Sequence, residues 1–229
     1  MIELYNDIII KDKFMDKKAV TDEAVRILKN IYPDALCALE WGGGKEDAWK
    51  LLVMGRLSAQ CTDARVNIVC RELFAKYPTA QALGDGELSD IENIVKPCGL
   101  YRVKASDIKR ECQMLCCDYG GVIPDSMDEL LKFPGVGRKI ANLLLGDLYK
   151  RPGIVADTHC IRICGRLGMY DTSLKDPYKV EKIMSELVEP SEQSDFCHRI
   201  VQFGRDVCSA RSPRCGECPL SEICSNKYK

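Results

Sequence analysis

The chain has 229 residues, 46% of them hydrophobic and 29% charged, which is enough for one large or two small domains around an apolar core. Its formal net charge of −1 excludes a polycation, so a nucleic-acid partner would have to meet a local basic patch. No apolar run reaches the length of a membrane span, and the start Met1-Ile2-Glu3-Leu4-Tyr5 lacks the basic and apolar regions of a secretory signal; a cytoplasmic protein without a membrane partner is expected.

The first twenty residues read as a charged appendage with one apolar patch, Ile8-Ile9-Ile10. Thr21-Asp22-Glu23 is expected to open a helix running towards Ile31, with Pro33 just past its end. Residues 34–46 read as a loop containing Gly42-Gly43-Gly44. Ala48 to Ser58 is apolar nearly all round, the pattern of a helix buried on most sides, and Gly55-Arg56 interrupts it. The run Leu57-Ser58-Ala59-Gln60-Cys61-Thr62-Asp63 follows, with Thr62 capping an amphipathic helix that continues through Lys76.

Ser89 to Glu92 and Ser126 to Glu129 have capping-box spacing. Between them a longer helix is expected over roughly 103–119, preceded by Cys98-Gly99-Leu100-Tyr101. Taken alone, Gln60 reads as a polar helix end and Leu100 as core. Further helices are expected over 138–149, 158–167, 177–187 and 195–208. No segment alternates as a strand does, so the expected fold class is all-α.

Leu130-Leu131-Lys132-Phe133-Pro134-Gly135-Val136-Gly137-Arg138-Lys139 joins a short apolar-ended helix to a second one. Two glycines one residue apart allow a tight turn and a close backbone approach. The N–H groups opening the second helix then offer an anion site. A bare Gly-x-Gly would read as a plain helix connection; the flanking apolar pattern and the Arg-Lys pair favour phosphate. Lys139 lies in the first turn, where its amine is a candidate nucleophile; taken alone it reads as an exposed lysine contacting phosphate. Asp157, in Ile154-Val155-Ala156-Asp157-Thr158-His159, ends an apolar segment just before a helix, where an aspartate is an ordinary N-cap.

Of fourteen cysteines, ten are scattered through helical patterns and read as small buried hydrophobes. The last four, Cys208, Cys215, Cys218 and Cys224, lie within seventeen residues. By spacing alone they suit either zinc or an iron–sulfur cluster. Their neighbourhood is basic, with Arg199, Arg205, Arg211, Arg214, Lys227 and Lys229 set against Asp206, Glu217 and Glu222. That supplies the local patch the near-neutral chain requires.

The Gly-Val-Gly-Arg-Lys and Val-Ala-Asp-Thr-His elements, the Leu-Ser-Ala-Gln-x-Thr-Asp run and the C-x6-C-x2-C-x5-C tail together resemble the endonuclease III family, in one alignment frame from about Thr21 to the C-terminus. The resemblance implies a helix-hairpin-helix DNA glycosylase with abasic-site lyase activity. Its partner would be double-stranded DNA containing damaged bases or abasic sites, with oxidised pyrimidines favoured. Lys139 would attack C1′ of a flipped nucleotide and Asp157 would be its partner carboxylate.

By the same carry-over, Gln60 enters the space left by that nucleotide, Leu100 wedges into the base stack and His159 contacts DNA. Gly135, Val136 and Gly137 grip a backbone phosphate, and Arg205, Arg211 and Arg214 add cationic contacts. Cys208, Cys215, Cys218 and Cys224 would hold a [4Fe–4S] cluster that shapes the DNA-binding loop.

The implied architecture is two helical lobes with a DNA cleft, Lys139 facing Asp157 at its mouth. An N-terminal segment (1–40) and a cluster domain (151–229) would form one lobe, and a helical barrel (41–150) that includes the hairpin the other. A monomer acting at the nucleoid is expected. Two departures stand out. Gly55-Arg56 lies close to where a base pocket should be, and Ile140 stands where a small polar residue often follows the lysine.

Three rivals remain at this point. A mismatch adenine glycosylase needs an acidic residue in the helix before Gln60, and Leu52 to Ala59 contains none. A non-catalytic iron–sulfur DNA-binding protein would have no need of both Lys139 and Asp157. A zinc protein would be colourless where a [4Fe–4S] protein is brown.

Overall fold

A computed structural model describes residues 16–226. The patch Ile8-Ile9-Ile10, Lys227 and Lys229 lie outside the described residues. Among those described there is no strand, and the regular structure is helical throughout. Among the described residues no helix is long and apolar enough to cross a membrane. Two compact units emerge, one spanning Cys37–Val155 and the other made of the residues up to Leu36 together with those from Ala156 onward.

The second unit opens with α1 (Lys17–Ile31), which starts four residues earlier than the sequence suggests. Val20, Ala24 and Leu28 are buried at a four-residue spacing, so Val20 already belongs to the apolar face. Thr21 is therefore interior, not a cap, and its hydroxyl donates back to Lys17 O at 2.7 Å. α9 (Thr158–Leu167), α10 (Pro177–Leu187) and α11 (Gln193–Asp206) complete the unit; α11 packs on both α9 and α1.

Within Cys37–Val155 the helices are α2 (Ala48–Leu57), α3 (Asp63–Lys76), α4 (Ala80–Asp85), α5 (Leu88–Val95), α6 (Tyr101–Tyr119), α7 (Met127–Leu130) and α8 (Arg138–Tyr149). α2 is the spine: Trp49, Leu51, Leu52, Val53, Met54, Gly55 and Leu57 are all buried, and the helix packs on α3, α6 and α8. An all-round apolar helix has no solvent face, as its sequence requires.

Two capping expectations fail. α5 begins at Leu88 with Glu87 as cap, which puts Ser89 inside the first turn. Ser126 does occupy the cap of α7 but makes no side-chain capping bond. Glu129 instead accepts from Tyr119 at 2.8 Å and from Lys132 at 2.6 Å. The sequence also gives no hint of α4, which Thr79 caps through Ala82 N at 3.0 Å. Of the ten scattered cysteines, Cys70, Cys98, Cys112, Cys160, Cys164 and Cys197 are buried; Cys37, Cys61 and Cys116 are half-buried and Cys117 is exposed.

Candidate functional site

The C-terminal end of α2 brings three of the sequence-marked elements together. Lys104, wholly buried in α6, donates from Nζ to Leu57 O at 2.9 Å and to Cys98 O at 2.8 Å. Burial pushes its pKa below the usual lysine range. One ammonium thus ties the chain just before Gln60 to the chain just before Leu100.

Both of those residues adopt the left-handed conformation, Gln60 with φ 54° and Leu100 with φ 48°. A side chain makes that region costly, by roughly 1–2 kcal/mol, and Lys150 at the end of α8 is the other non-glycine residue that shares it among those described. Gln60 is exposed, and Leu100 is 61% exposed. Leu100 is therefore not core: it caps α6 ahead of the buried face that begins with Lys104 and Ala105. Both side chains thus hold a costly backbone conformation while standing exposed.

The third element is the hairpin. Gly135 has φ 72°, and a Cβ there would stand 2.2 Å from Arg56 Nε and 2.8 Å from Asp107 Oδ2. Arg56 lies under the turn, bonded through Nε to Asp107 Oδ2 at 2.7 Å. Val136 does not fit the phosphate role of its side chain's neighbours. It is buried, and its N–H is committed to Phe133 O at 3.1 Å. Gly137 is exposed, and a Cβ on it would meet nothing within 4 Å. As N-cap of α8 it supplies no side-chain cap to the N–H groups of the opening turn. Lys139 is exposed in that turn.

The two sequence departures meet here. Gly55 leaves a gap that the Ile140 side chain fills, and Arg56 supports Gly135. These residues pack α2 against the hairpin and its second helix. Deeper still, Glu111 is fully buried with neither carboxylate oxygen hydrogen-bonded. Burial holds its pKa well above the carboxylate range, the nearby Arg56 charge opposing the shift and Asp107 adding to it. Asn142 closes the arrangement by donating to Ile154 O at 2.9 Å, which fastens the outgoing segment to α8.

In the other unit, Asp157 caps α9, Oδ1 accepting from Cys160 N at 2.7 Å. The carboxylate is thereby fixed in direction while half-exposed. His159 is half-buried, with Nδ1 3.2 Å from Arg162 Nη2. Arg162 also donates to Cys208 O at 3.0 Å. One turn on, Arg166 donates to Cys208 Sγ at 3.3 Å, Ser209 O at 2.8 Å and Ala210 O at 2.9 Å. Sequence reasoning missed both arginines. Their signal was the four-residue step from Thr158, which lines them up on one face of α9.

The tail suits a thiolate-bound cluster. Among the described residues no three His, Cys, Asp or Glu side chains converge as ligands of a single ion, whereas a four-iron cluster takes one thiolate per iron and spaces its ligands more widely. Burial raises the Cys218 and Cys224 thiols, and the backbone N–H groups of Leu220 and Asn226 favour their thiolates by hydrogen bonding to sulfur. With Arg166 on Cys208, three of the four sulfurs receive N–H donors. Such donors stabilise the thiolate form in which cysteine binds a cluster.

Arg205 and Arg211 are exposed. Arg214 is exposed as well, but its guanidinium donates to Asp206 O and helps close the loop. Arg199 does not belong to a surface patch: it is 4% exposed and paired with Glu192 at 3.0 Å and Asp195 at 3.1 Å.

Residues 53–190 match the family described as HhH-GPD superfamily base excision DNA repair protein. Residues 208–224 match the iron–sulfur binding domain of endonuclease III, beginning and ending on Cys208 and Cys224. Endonuclease III of Synechocystis is 39% identical over 93% of this chain and 94% of its own length. That of Bacillus subtilis is 40% identical over 87% and 89%. A solved non-covalent endonuclease III–DNA complex superposes with a TM-score of 0.85 at 37% identity, covering 93% of this chain and 97% of the other. The chain belongs to the HhH-GPD superfamily of base excision DNA repair proteins, and within it to the endonuclease III family of [4Fe–4S] DNA glycosylases and AP lyases.

Proposed function

We propose that this glycosylase removes oxidised or ring-damaged pyrimidines from duplex DNA at the nucleoid, with Lys139 as nucleophile and Asp157 as its partner carboxylate. The observation that carries the reading is an exposed primary amine in the opening turn of α8. That turn follows a Gly135/Gly137 hairpin whose second glycine is open to a phosphate. A relative 37% identical has been captured as a covalent intermediate with DNA, and a lysine nucleophile accounts for such a species.

The neutral Lys139 amine adds to C1′ as the damaged base departs, and Asp157 takes the proton that the amine loses. Loss of a further proton from C2′ then expels the 3′ phosphate by β-elimination, and water releases the lysine. Gln60 fills the vacated position in the duplex and Leu100 wedges the stack; their left-handed backbones project both into solvent. The opening N–H groups of α8 hold one backbone phosphate, with Arg205 and Arg211 adding salt-sensitive contacts.

Cys208, Cys215, Cys218 and Cys224 would each bind one iron, and a cluster held by them would fix the fold of the loop. Arg162 and Arg166 join that loop to α9, which Asp157 caps and whose first turn carries His159. The test is borohydride trapping on duplexes bearing thymine glycol, uracil, 8-oxoguanine opposite C, A opposite G, or an abasic site. Covalent adducts are expected with thymine glycol and the abasic site and should vanish in Lys139→Ala. Trapping by Lys139→Ala at the wild-type level would end the assignment.

A further inference from the structure

Gly135 and Arg56 compete for one space. A Cβ on Gly135 would stand 2.2 Å from Arg56 Nε, 2.6 Å from Arg56 Cδ and 2.8 Å from Asp107 Oδ2. The arginine thus lies where a side chain on the turn would have been. Its Nε and Nη2 both reach Asp107 Oδ2, each at 2.7 Å. The two side chains are only 12% and 14% exposed, so solvent screens this pair weakly. Arg56 comes from α2 and Asp107 from α6, and they meet beneath the hairpin.

The turn above them has little stiffness of its own. Pro134 and Gly135 are its central residues, and Val136 N–H closes it on Phe133 O at 3.1 Å. Gly135 has φ 72°, and both it and Gly137 are exposed. Glycine has the widest backbone freedom of any residue, so an unsupported turn must be ordered each time it closes on a phosphate. A fixed ion pair packed against the glycine removes that freedom before DNA arrives.

We propose that Arg56 and Asp107 are positioning residues for DNA binding, an ion pair that holds the Gly135 turn in the shape that grips a backbone phosphate. Asp107 fixes the guanidinium as a strut, so Arg56 acts through Gly135 and not as a phosphate ligand. The residue before it has a separate task. Gly55 seats Ile140, which shares α8 with Lys139, so the helix carrying the amine is located without the arginine. Losing the strut therefore weakens binding and spares the chemistry of bound DNA. The proposal rests on the phosphate reading of the hairpin given above.

The holoenzyme is compared with its Arg56→Lys and Asp107→Asn variants in two measurements. Fluorescence anisotropy gives Kd for a duplex bearing a tetrahydrofuran abasic analogue, which the lyase cannot cleave. Single-turnover cleavage of an abasic duplex at saturating enzyme gives the rate of the bound step. Arg56→Lys keeps the charge and loses the fork; its Kd should rise about tenfold, the loss expected of one hydrogen bond to a charged group. Its bound rate should stay within about twofold of wild type. Asp107→Asn should also bind several-fold more weakly, although it removes a negative charge from beneath the turn. That sign is decisive, because a cation acting directly on phosphate would bind tighter once freed of its carboxylate.

Tighter binding by Asp107→Asn, wild-type Kd in both variants, or a bound rate that falls in step with affinity would each overturn the proposal. Gly137→Ala tests the underlying reading separately. Wild-type Kd in that variant removes the phosphate grip and the strut with it. Weak binding by Gly137→Ala beside wild-type Kd in the other two removes the strut alone.

Discussion

Ile140 Cγ2 lies 3.0 Å from where a Cβ on Gly55 would stand. Glycine at 55 and isoleucine at 140 are thus one feature, a branched side chain on the hairpin helix seated in a notch of α2. Gly55→Ala should overpack this contact and cost about 1–3 kcal/mol, while Ile140→Ala alone should cost about 2–5 kcal/mol through its cavity. The double variant should be more stable than the sum predicts by more than about 0.5 kcal/mol. Denaturant unfolding of all four proteins measures this, and simple additivity would mean the two residues are not in tight contact.

The two hairpin glycines should part company when changed. Gly135→Ala forces a positive-φ alanine against an arginine that Asp107 holds in place, and should lose about 1–3 kcal/mol. Gly137→Ala has ordinary extended backbone and open space, so its stability should stay within about 0.5 kcal/mol of wild type. Its methyl would nevertheless stand at the phosphate approach, and affinity for an abasic duplex should fall several-fold. Fluorescence anisotropy showing full affinity in Gly137→Ala would remove the phosphate role from this turn.

Leu100→Gly separates strain from function. Glycine relieves the left-handed backbone and gives up a side chain that is already largely in water, so the melting temperature should hold or rise, by up to about 1 kcal/mol of stability. Lesion-duplex binding should weaken about tenfold or more, because the wedge is gone. A variant that is destabilised yet fully active would mean that Leu100 serves the fold.

Glu111 predicts a pH effect with a definite sign. Its folded pKa is raised by burial, so no penalty is felt below the unfolded value of about 4.5. Above it the unfolded carboxyl ionises while the folded one stays protonated, and stability declines as pH rises towards the folded pKa. Glu111→Gln removes that slope. Measured by urea unfolding, the variant should gain on wild type by on the order of 1 kcal/mol between pH 5 and pH 8; parallel curves would show that Glu111 is not the source.

The sequence by itself determined the elements whose information is local. The apolar run of α2, the Thr62 cap and the Pro-Gly-Val-Gly turn are set by neighbours along the chain. The same holds for the spacing of the four cysteines, and together these carried the all-α class and the family. Tertiary structure alone decided the rest. Nothing near Lys104 in sequence says that its ammonium will bridge Leu57 and Cys98, or that Leu100 will stand exposed. Arg199 counts as a surface cation until Glu192 and Asp195 enclose it, and Val136 counts as a contact residue until the core claims it. The reason is that periodicity and capping depend on residues three or four apart, whereas burial and charge pairing depend on whichever distant helix the chain folds against.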